Sequence, residues 1–543
     1  MSVALRRHLW PLVMFFGLAL CSAGCSTLGL GEGDDSGASS AAISATQAAI
    51  EKTLVAQESS DARSLRGKLL HDEVMEFYAT RHFTPAWTQS EAADRRAARV
   101  IQTLEHAGQQ GLRSADYPTG GAASDEPPAG RDAATYDITI TKSLLRYAHD
   151  VRDGRVAPDA VYKDVELPPH QFDAASALGS ALQQQDIDAF LAALPPPEPA
   201  YRGLVDALAR YRAIEAHGGW RRLSAKTAAM RARLAERLSL EDATLVRHAH
   251  PTAAEVKRAL MRFQLRNGLD ADGKVGAATL MALNVPVFYR IKEIIANMER
   301  WRWMPRALEA RYIRVNVPGQ SVDFVQDGKV LLHSKAVIGQ MKKGDVTPIL
   351  RTHVIAVVAN PPWDIPDDIA ARKILPHLRQ NASYLVSRDM VLKDAPANDL
   401  SGRAINWRKV KANDLPYQIQ QKPGKDNGLG RIMLDSPNAF GVYLHDTPAK
   451  FLFKLNDRER SHGCVRVEKI DDLASLALAG TTPDPKAALS EALKGDKTQR
   501  LTLSEPIPVY MVYWTASVAP DGAVEFRPDR YGRDRPLIAR LAR

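Results

Sequence analysis

"GVYLHDTPAKFLFKLNDRERSHGCVR", residues 441–466, ends one short apolar run in a histidine and opens another beside a cysteine. "GVYLH" reads as a strand that stops at His445, after which a charged loop returns the chain through Ser461-His462-Gly463-Cys464-Val465-Arg466. Such a return would set imidazole beside thiol, and Gly463 would let the backbone approach closely. A thiol with an ordinary pKa of about 8.5 is mostly protonated near neutrality, so a nucleophilic role needs an adjacent base. Three readings stand at this point. His445 activates Cys464, with backbone amide groups beside Gly463 facing a developing oxyanion. Alternatively, His445, His462 and Cys464 hold zinc, against which stand the missing second cysteine nearby and the missing metalloprotease helix motif. Or the cysteine is structural, against which Arg458, Glu459, Arg460 and Arg466 place the segment near the surface. Asp446 or a backbone carbonyl would fix the histidine tautomer.

Outward from this stretch, "YIRVNV", "SVDFVQ", "KVLLHSKAVIG" and "HVIAVVANP" alternate or run apolar with many β-branched residues, which predicts mostly β structure from about residue 310. Between Trp363 and Gln418, "IPDDIAARKILPHLRQNASYLVSRDM" predicts one or two helices inserted between strands. A long insertion in a compact sheet domain suits a substrate-covering element. Helical spacing dominates upstream, over residues 63–225. Within residues 226–300, "TAAEVKRALMRFQLRNGLDADGKVGAATLMALNV" gives two helices around a loop. Asp270 and Asp272 there read as a connecting turn, because the ligand series of a calcium loop is missing. Residues 26–62 are small and polar and read as a tether.

The N-terminus sets Arg6 and Arg7 before "LWPLVMFFGLAL", an export-signal layout too short for a span of roughly 20 residues. It ends in Ala23-Gly24-Cys25, which resembles a lipoprotein signal with Cys25 as the lipidated first mature residue. The signal region spans 1–25, and cleavage before Cys25 removes Cys21, so Cys464 is then the one free thiol among three cysteines. A formal net charge of +9 favours an anionic partner, and export argues against nucleic acid.

His445 followed by Ser461-His462-Gly463-Cys464-Val465-Arg466 resembles the signature of the L,D-transpeptidases, cysteine enzymes that cross-link peptidoglycan; Val467 stands where that pattern more often has Met. "NPPWDIP" (360–366), "QQKPGKDNGLG" (420–430), "SPNAFGVYLHDTP" (436–448) and "PVYMVYWTASVAPDGAVEFRPDRYGRD" (508–534) are similar to the large Gram-negative branch of that family, as is "FYATRHFTPAW" (77–87). Phe263-Gln264, Asn267-Gly268-Leu269, Asp272-Gly273-Lys274-Val275-Gly276 and Thr279 to Asn284 resemble a small peptidoglycan-binding domain.

The resemblance implies a multidomain α + β chain: helical scaffold domain (63–225), three-helix peptidoglycan-binding domain (226–300), mainly-β catalytic domain (305–520) with a helical capping insertion at about 364–418, and a C-terminal extension (521–543). It implies Cys464 as nucleophile, His445 as base, Gly463 and Cys464 amides in the oxyanion hole, and His462 as loop support. Arg466 would hold a substrate carboxylate unless it forms an ion pair within the loop, with Ser461, Trp363 and Tyr443 also on the substrate side. The implied reaction forms 3-3 cross-links between tetrapeptide stems, with no metal or other cofactor. Carbapenems would acylate Cys464, and the implied location is the periplasm, anchored through lipid on Cys25. An L,D-carboxypeptidase or endopeptidase, a transferase joining an outer-membrane lipoprotein to the wall, and a non-enzymatic wall-binding lipoprotein are the alternatives.

Overall fold

The computed structural model describes residues 35–61, 64–120, 131–224, 230–246, 250–342 and 344–543. The signal segment and Cys25 lie outside them. No helix among the described residues is long and apolar enough to cross a membrane.

The N-terminal half is helical: α1 (Asp35–Asp61), α2 (Leu65–Thr80), α3 (Glu91–Glu105), α4 (Arg131–Arg152), α5 (Ala174–Gln183), α6 (Ile187–Ala193) and α7 (Pro199–Ala216). Ser64 and Ser90 cap α2 and α3 by accepting from Gly67 N–H and Ala93 N–H, which satisfies donors the helix leaves open. Most of the expected tether is therefore helix. Thr46, Ile50 and Leu54 recur every fourth residue along α1 and are buried in the scaffold core, a stripe that the small, polar composition around it hid. In "FYATRHFTPAW" the buried Asp137 accepts from Tyr78 Oη (2.7 Å) and from the amides of Ala86 and Trp87 (both 2.9 Å), so this stretch is tied to α4.

The second unit holds α8 (Met230–Ser239), α9 (Ala243–Val246), α10 (Ala253–Arg266) and α11 (Ala277–Leu283) around Leu238, Leu260, Phe263 and Leu283. Thr252 and Glu255 form a reciprocal capping box at the start of α10. Gln264 stitches the following turn: its amide donates to Asp272 and the Lys274 carbonyl (both 2.9 Å) and accepts from Gly273 N–H. This is the turn expected at Asp270 and Asp272, with Asp270 further accepting from Asn456 at 2.5 Å. The unit ends earlier than residue 300, because α12 (Val287–Arg302) turns away and packs on α7.

The C-terminal half is a sheet closed on itself. Its strands are β1 (Val165–Glu166), contributed by the scaffold segment, then β2 (Arg311–Asn316), β3 (Ser321–Gln326), β4 (Lys329–Gly339) and β5 (Ile349–Ala359). They continue with β9 (Ile432–Asp435), β10 (Leu444–His445), β11 (Glu459–Ser461), β12 (Val465–Val467) and β13 (Gln499–Val512). The order β5-β13-β2-β3-β4-β12-β10-β9 closes through a β5–β9 pairing, while β1 lies parallel to the start of β5 and β11 to the end of β4. Closure removes free edges, and inward residues such as Val315, Phe324, Val357, Leu444 and Val465 fill the interior.

Between β5 and β9 lies the insertion, which has its own core of Ile365, Leu375, Leu378, Leu385 and Trp407. It is not purely helical. A small sheet in the order β6-β8-β7 joins β6 (Trp363–Asp364), β7 (Met390–Leu392) and β8 (Ile419–Gln421) beside the short helical segments. The C-terminal extension is likewise structural. A hairpin of β14 (Ala516–Val518) and β15 (Val524–Phe526) and the helix Asp534–Leu541 pack on α12, where Arg300 and Asp534 form a buried ion pair at 2.6 Å. Trp301 stacks on Trp514 at a ring separation of 4.2 Å.

Candidate active site

Parallel pairing of β10 and β12 builds the site. Leu444 faces Val465 and His445 faces Arg466, so the first pair points into the barrel core and the second to the opposite face. Cys464, one residue before Val465, falls on the face of His445 and Arg466, and so does Tyr443. Strand alternation has thus assembled four candidates from two short runs.

His445 is 3% exposed, and its Nδ1 lies 2.5 Å from the Asp446 carbonyl. That carbonyl selects the Nδ1–H tautomer and leaves Nε2 as the base. The Asp446 carboxylate points elsewhere, accepting from Arg431 N–H (2.9 Å) and Lys450 Nζ (2.5 Å). Burial first, then the Arg466 charge, pull His445 down to about 4. Burial pushes the Cys464 thiol up, opposed by the Tyr443 N–H and by Arg466. The pair is therefore neutral at pH 7. Sγ donates to the Gly441 carbonyl at 3.8 Å, so the thiol is held but not yet ionised.

Gly463 has φ +111°, a conformation that disfavours side-chain-bearing residues and turns the chain sharply into Cys464. Its N–H donates to Ser461 Oγ (3.2 Å), and Ser461 Oγ donates to the Cys464 carbonyl (2.6 Å). Two expectations change here. Ser461 is 2% exposed and braces the loop instead of meeting substrate, and the Gly463 amide is engaged by that hydroxyl in place of an oxyanion. Among the described residues the Cys464 N–H has no protein acceptor.

The Arg466 guanidinium is half-buried and has no carboxylate partner among the described residues; its Nε is buried without an acceptor. An ion pair within the loop is thereby excluded, and the guanidinium is left without an anionic partner among the described residues. His462 turns away from the thiol, with Nδ1 3.1 Å from Asp345 Oδ1 but off the ideal hydrogen-bond line. Zinc ligation by His445, His462 and Cys464 has no support in this geometry, and no metal-binding cluster of His, Cys, Asp or Glu forms among the described residues.

Residues 310–485 match the L,D-transpeptidase catalytic domain family. The chain carries an L,D-transpeptidase catalytic domain. Residues 72–208 match the family described as "Scaffold domain" and 252–283 that described as "Putative peptidoglycan binding domain". A "Putative L,D-transpeptidase" of Haemophilus influenzae is 32% identical over 248 residues, which is 45% of this chain and 49% of that one, so the match spans about half of the curated relative. A crystal structure of an L,D-transpeptidase from Xylanimonas cellulosilytica is similar at 16% identity, covering 51% of this chain and 92% of that one. Its TM-score of 0.17 is too low to align residues.

Within the L,D-transpeptidase domain, Tyr443 lies beside the thiol, whereas Trp363 packs further along the loop before β9. The Trp363 ring lies against Gly428, whose neighbour Leu429 presents its carbonyl to His445. Tyr443 is half-buried, and burial first, then the nearby Asp435, Cys464 and Asp364, raise its hydroxyl pKa. Three positions that the motif reading did not single out complete the frame. Buried Thr347 donates to the Gly463 carbonyl at 2.7 Å and accepts from Gly339 N–H at 3.0 Å. Asp345 meets His462. Asn427 knots the loop before β9, donating to the Lys422 and Pro361 carbonyls and accepting from Leu429 N–H. Asp345 and Thr347 come from a loop whose local sequence carries no motif, and although Asn427 lies within the quoted 420–430 stretch, its bracing role shows only in the folded loop.

Proposed function

We infer that this protein is an L,D-transpeptidase that forms 3-3 peptidoglycan cross-links through a thioester on Cys464. The observation that carries the reading is the shared face of His445, Cys464 and the unpaired Arg466 inside a matching catalytic domain. A donor tetrapeptide places a carboxylate on Arg466 and the amide between its third and fourth residues over Sγ. His445 Nε2 takes the thiol proton as Sγ attacks, and the Cys464 N–H faces the oxyanion. The C–N bond then breaks, D-alanine leaves with the proton from His445, and the thioester remains. An amine of a second stem attacks that carbonyl, His445 removes the amine proton, and the thiolate leaves and is reprotonated.

Starting from a neutral pair suits this scheme, because base and acid exchange one proton without first building a buried ion pair. The insertion is joined to the catalytic loop through Arg372, Asp345 and His462 and would limit hydrolysis. Carbapenems would acylate the same sulfur, the peptidoglycan-binding unit would hold the enzyme on the wall, and lipid on Cys25 would tether it on the periplasmic side. Incubation with a disaccharide tetrapeptide tests the reading. D-alanine release with a dimer resistant to D,D-endopeptidase, both lost in Cys464→Ala, is the expected result. A tripeptide monomer without dimer would replace transpeptidation by carboxypeptidase activity or by transfer to a protein acceptor.

A further inference from the structure

The connection between β4 and β5 grips three consecutive residues of the catalytic motif. Gln340 N–H donates to the Ser461 carbonyl (3.1 Å), Asp345 meets His462, and Thr347 donates to the Gly463 carbonyl (2.7 Å). This connection folds tightly on itself: a Cβ at Gly339 would stand 1.9 Å from the Asp345 carbonyl oxygen, so that position admits glycine alone. Tyr531 Oη closes the turn by donating to the Gly339 carbonyl at 2.6 Å.

Asp345 is 1% exposed, and its carboxylate has a second occupant. Arg372, from the first helical segment of the insertion, binds it through two nitrogens, Nη2 to Oδ1 at 2.8 Å and Nη1 to Oδ2 at 3.2 Å. Asp368 steadies the same guanidinium at 2.7 Å. Arg372 lies in a π-helical turn, Ala370–Ile374, just before Pro376, which has no N–H to continue the ladder. The insertion and the catalytic loop therefore share one buried carboxylate.

Resting on the transpeptidase reading, we propose that Arg372 and Asp345 are positioning residues that latch the insertion to the catalytic loop, so that docking of the insertion orders the loop and favours amine over water at the thioester. While Arg372 holds Asp345, His462 and the Cys464 turn are fixed and the insertion covers the site. When the latch opens, Asp345 loses its forked partner, the motif loosens and water enters. Forked arginine–carboxylate pairs suit such a latch because they are directional and, with one oxygen shared with His462, stoichiometrically limited.

Arg372→Met tests this in the full chain, because the side chain is 40% exposed and its loss leaves the cores intact. Hydrogen exchange should quicken in both 367–392 and 459–466, and the ratio of tripeptide to 3-3 dimer should rise about tenfold, with Arg372→Lys recovering part of each change. Faster exchange confined to the insertion, or an unchanged ratio in a folded Arg372→Met protein that still forms thioester, would overturn the latch. If the parent protein releases no D-alanine, the functional reading fails on its own, and the exchange in 459–466 still decides whether the latch exists.

Discussion

Neutrality of the Cys464–His445 pair at rest has direct consequences for pH dependence. His445, pulled down to about 4 by burial and by Arg466, stays an available base well below the ordinary histidine range. Acylation by the donor should therefore hold nearly level from pH 7 to pH 5 and fall only toward pH 4, whereas a histidine titrating near 6.5 would lose most of its activity as the pH falls to about 5.5. Stopped-flow acylation rates over that range decide between them. Alkylation by iodoacetamide, which needs thiolate, should be slow at pH 7 and reach its midpoint only above the ordinary thiol value of about 8.5. Arg466 offers a second handle. Arg466→Met should raise KM for a tetrapeptide on the order of tenfold or more, the scale of one charged hydrogen bond at about 1.5–3 kcal/mol, without lowering Tm. A large fall in Tm would assign that guanidinium to structure instead of substrate.

Among elements, the connection from Gly339 to Ile349 does the most for the site while showing the least in sequence. The strand ending in His445 and the glycine turn before Cys464 were legible because alternation and motif spacing are local properties. Thr347 and Asp345 were not, since their partners Gly463, His462 and Arg372 come from other segments that meet them only once the sheet closes. The same gap explains Ser461: its residue type permits substrate contact, but the turn buries its hydroxyl between the Gly463 amide and the Cys464 carbonyl. Thr347→Val should orphan the Gly463 carbonyl and Gly339 N–H, costing about 1–3 kcal/mol per group in denaturant unfolding and slowing acylation, while Thr347→Ser keeps both bonds and both properties.

Across the whole molecule, composition and period separated the helical half from the β half correctly, yet they misplaced the joints. α12 reads as the end of one domain but is the axle on which α7, the β14–β15 hairpin and the C-terminal helix turn, because its buried residues lie all around it. Removing Asp534 would strand the buried Arg300 charge. Asp534→Ala should cost about 3–5 kcal/mol in equilibrium unfolding, and a loss below about 1 kcal/mol would show that the extension does not brace α12. Catalysis through the Cys464 sulfur is tested by intact-protein mass spectrometry of a rapidly quenched mixture with a disaccharide tetrapeptide. A transient adduct with the mass of the donor minus D-alanine, mapped to Cys464 and absent from Cys464→Ala, is the expected result. Turnover of the tetrapeptide that proceeds unchanged in Cys464→Ala would contradict it.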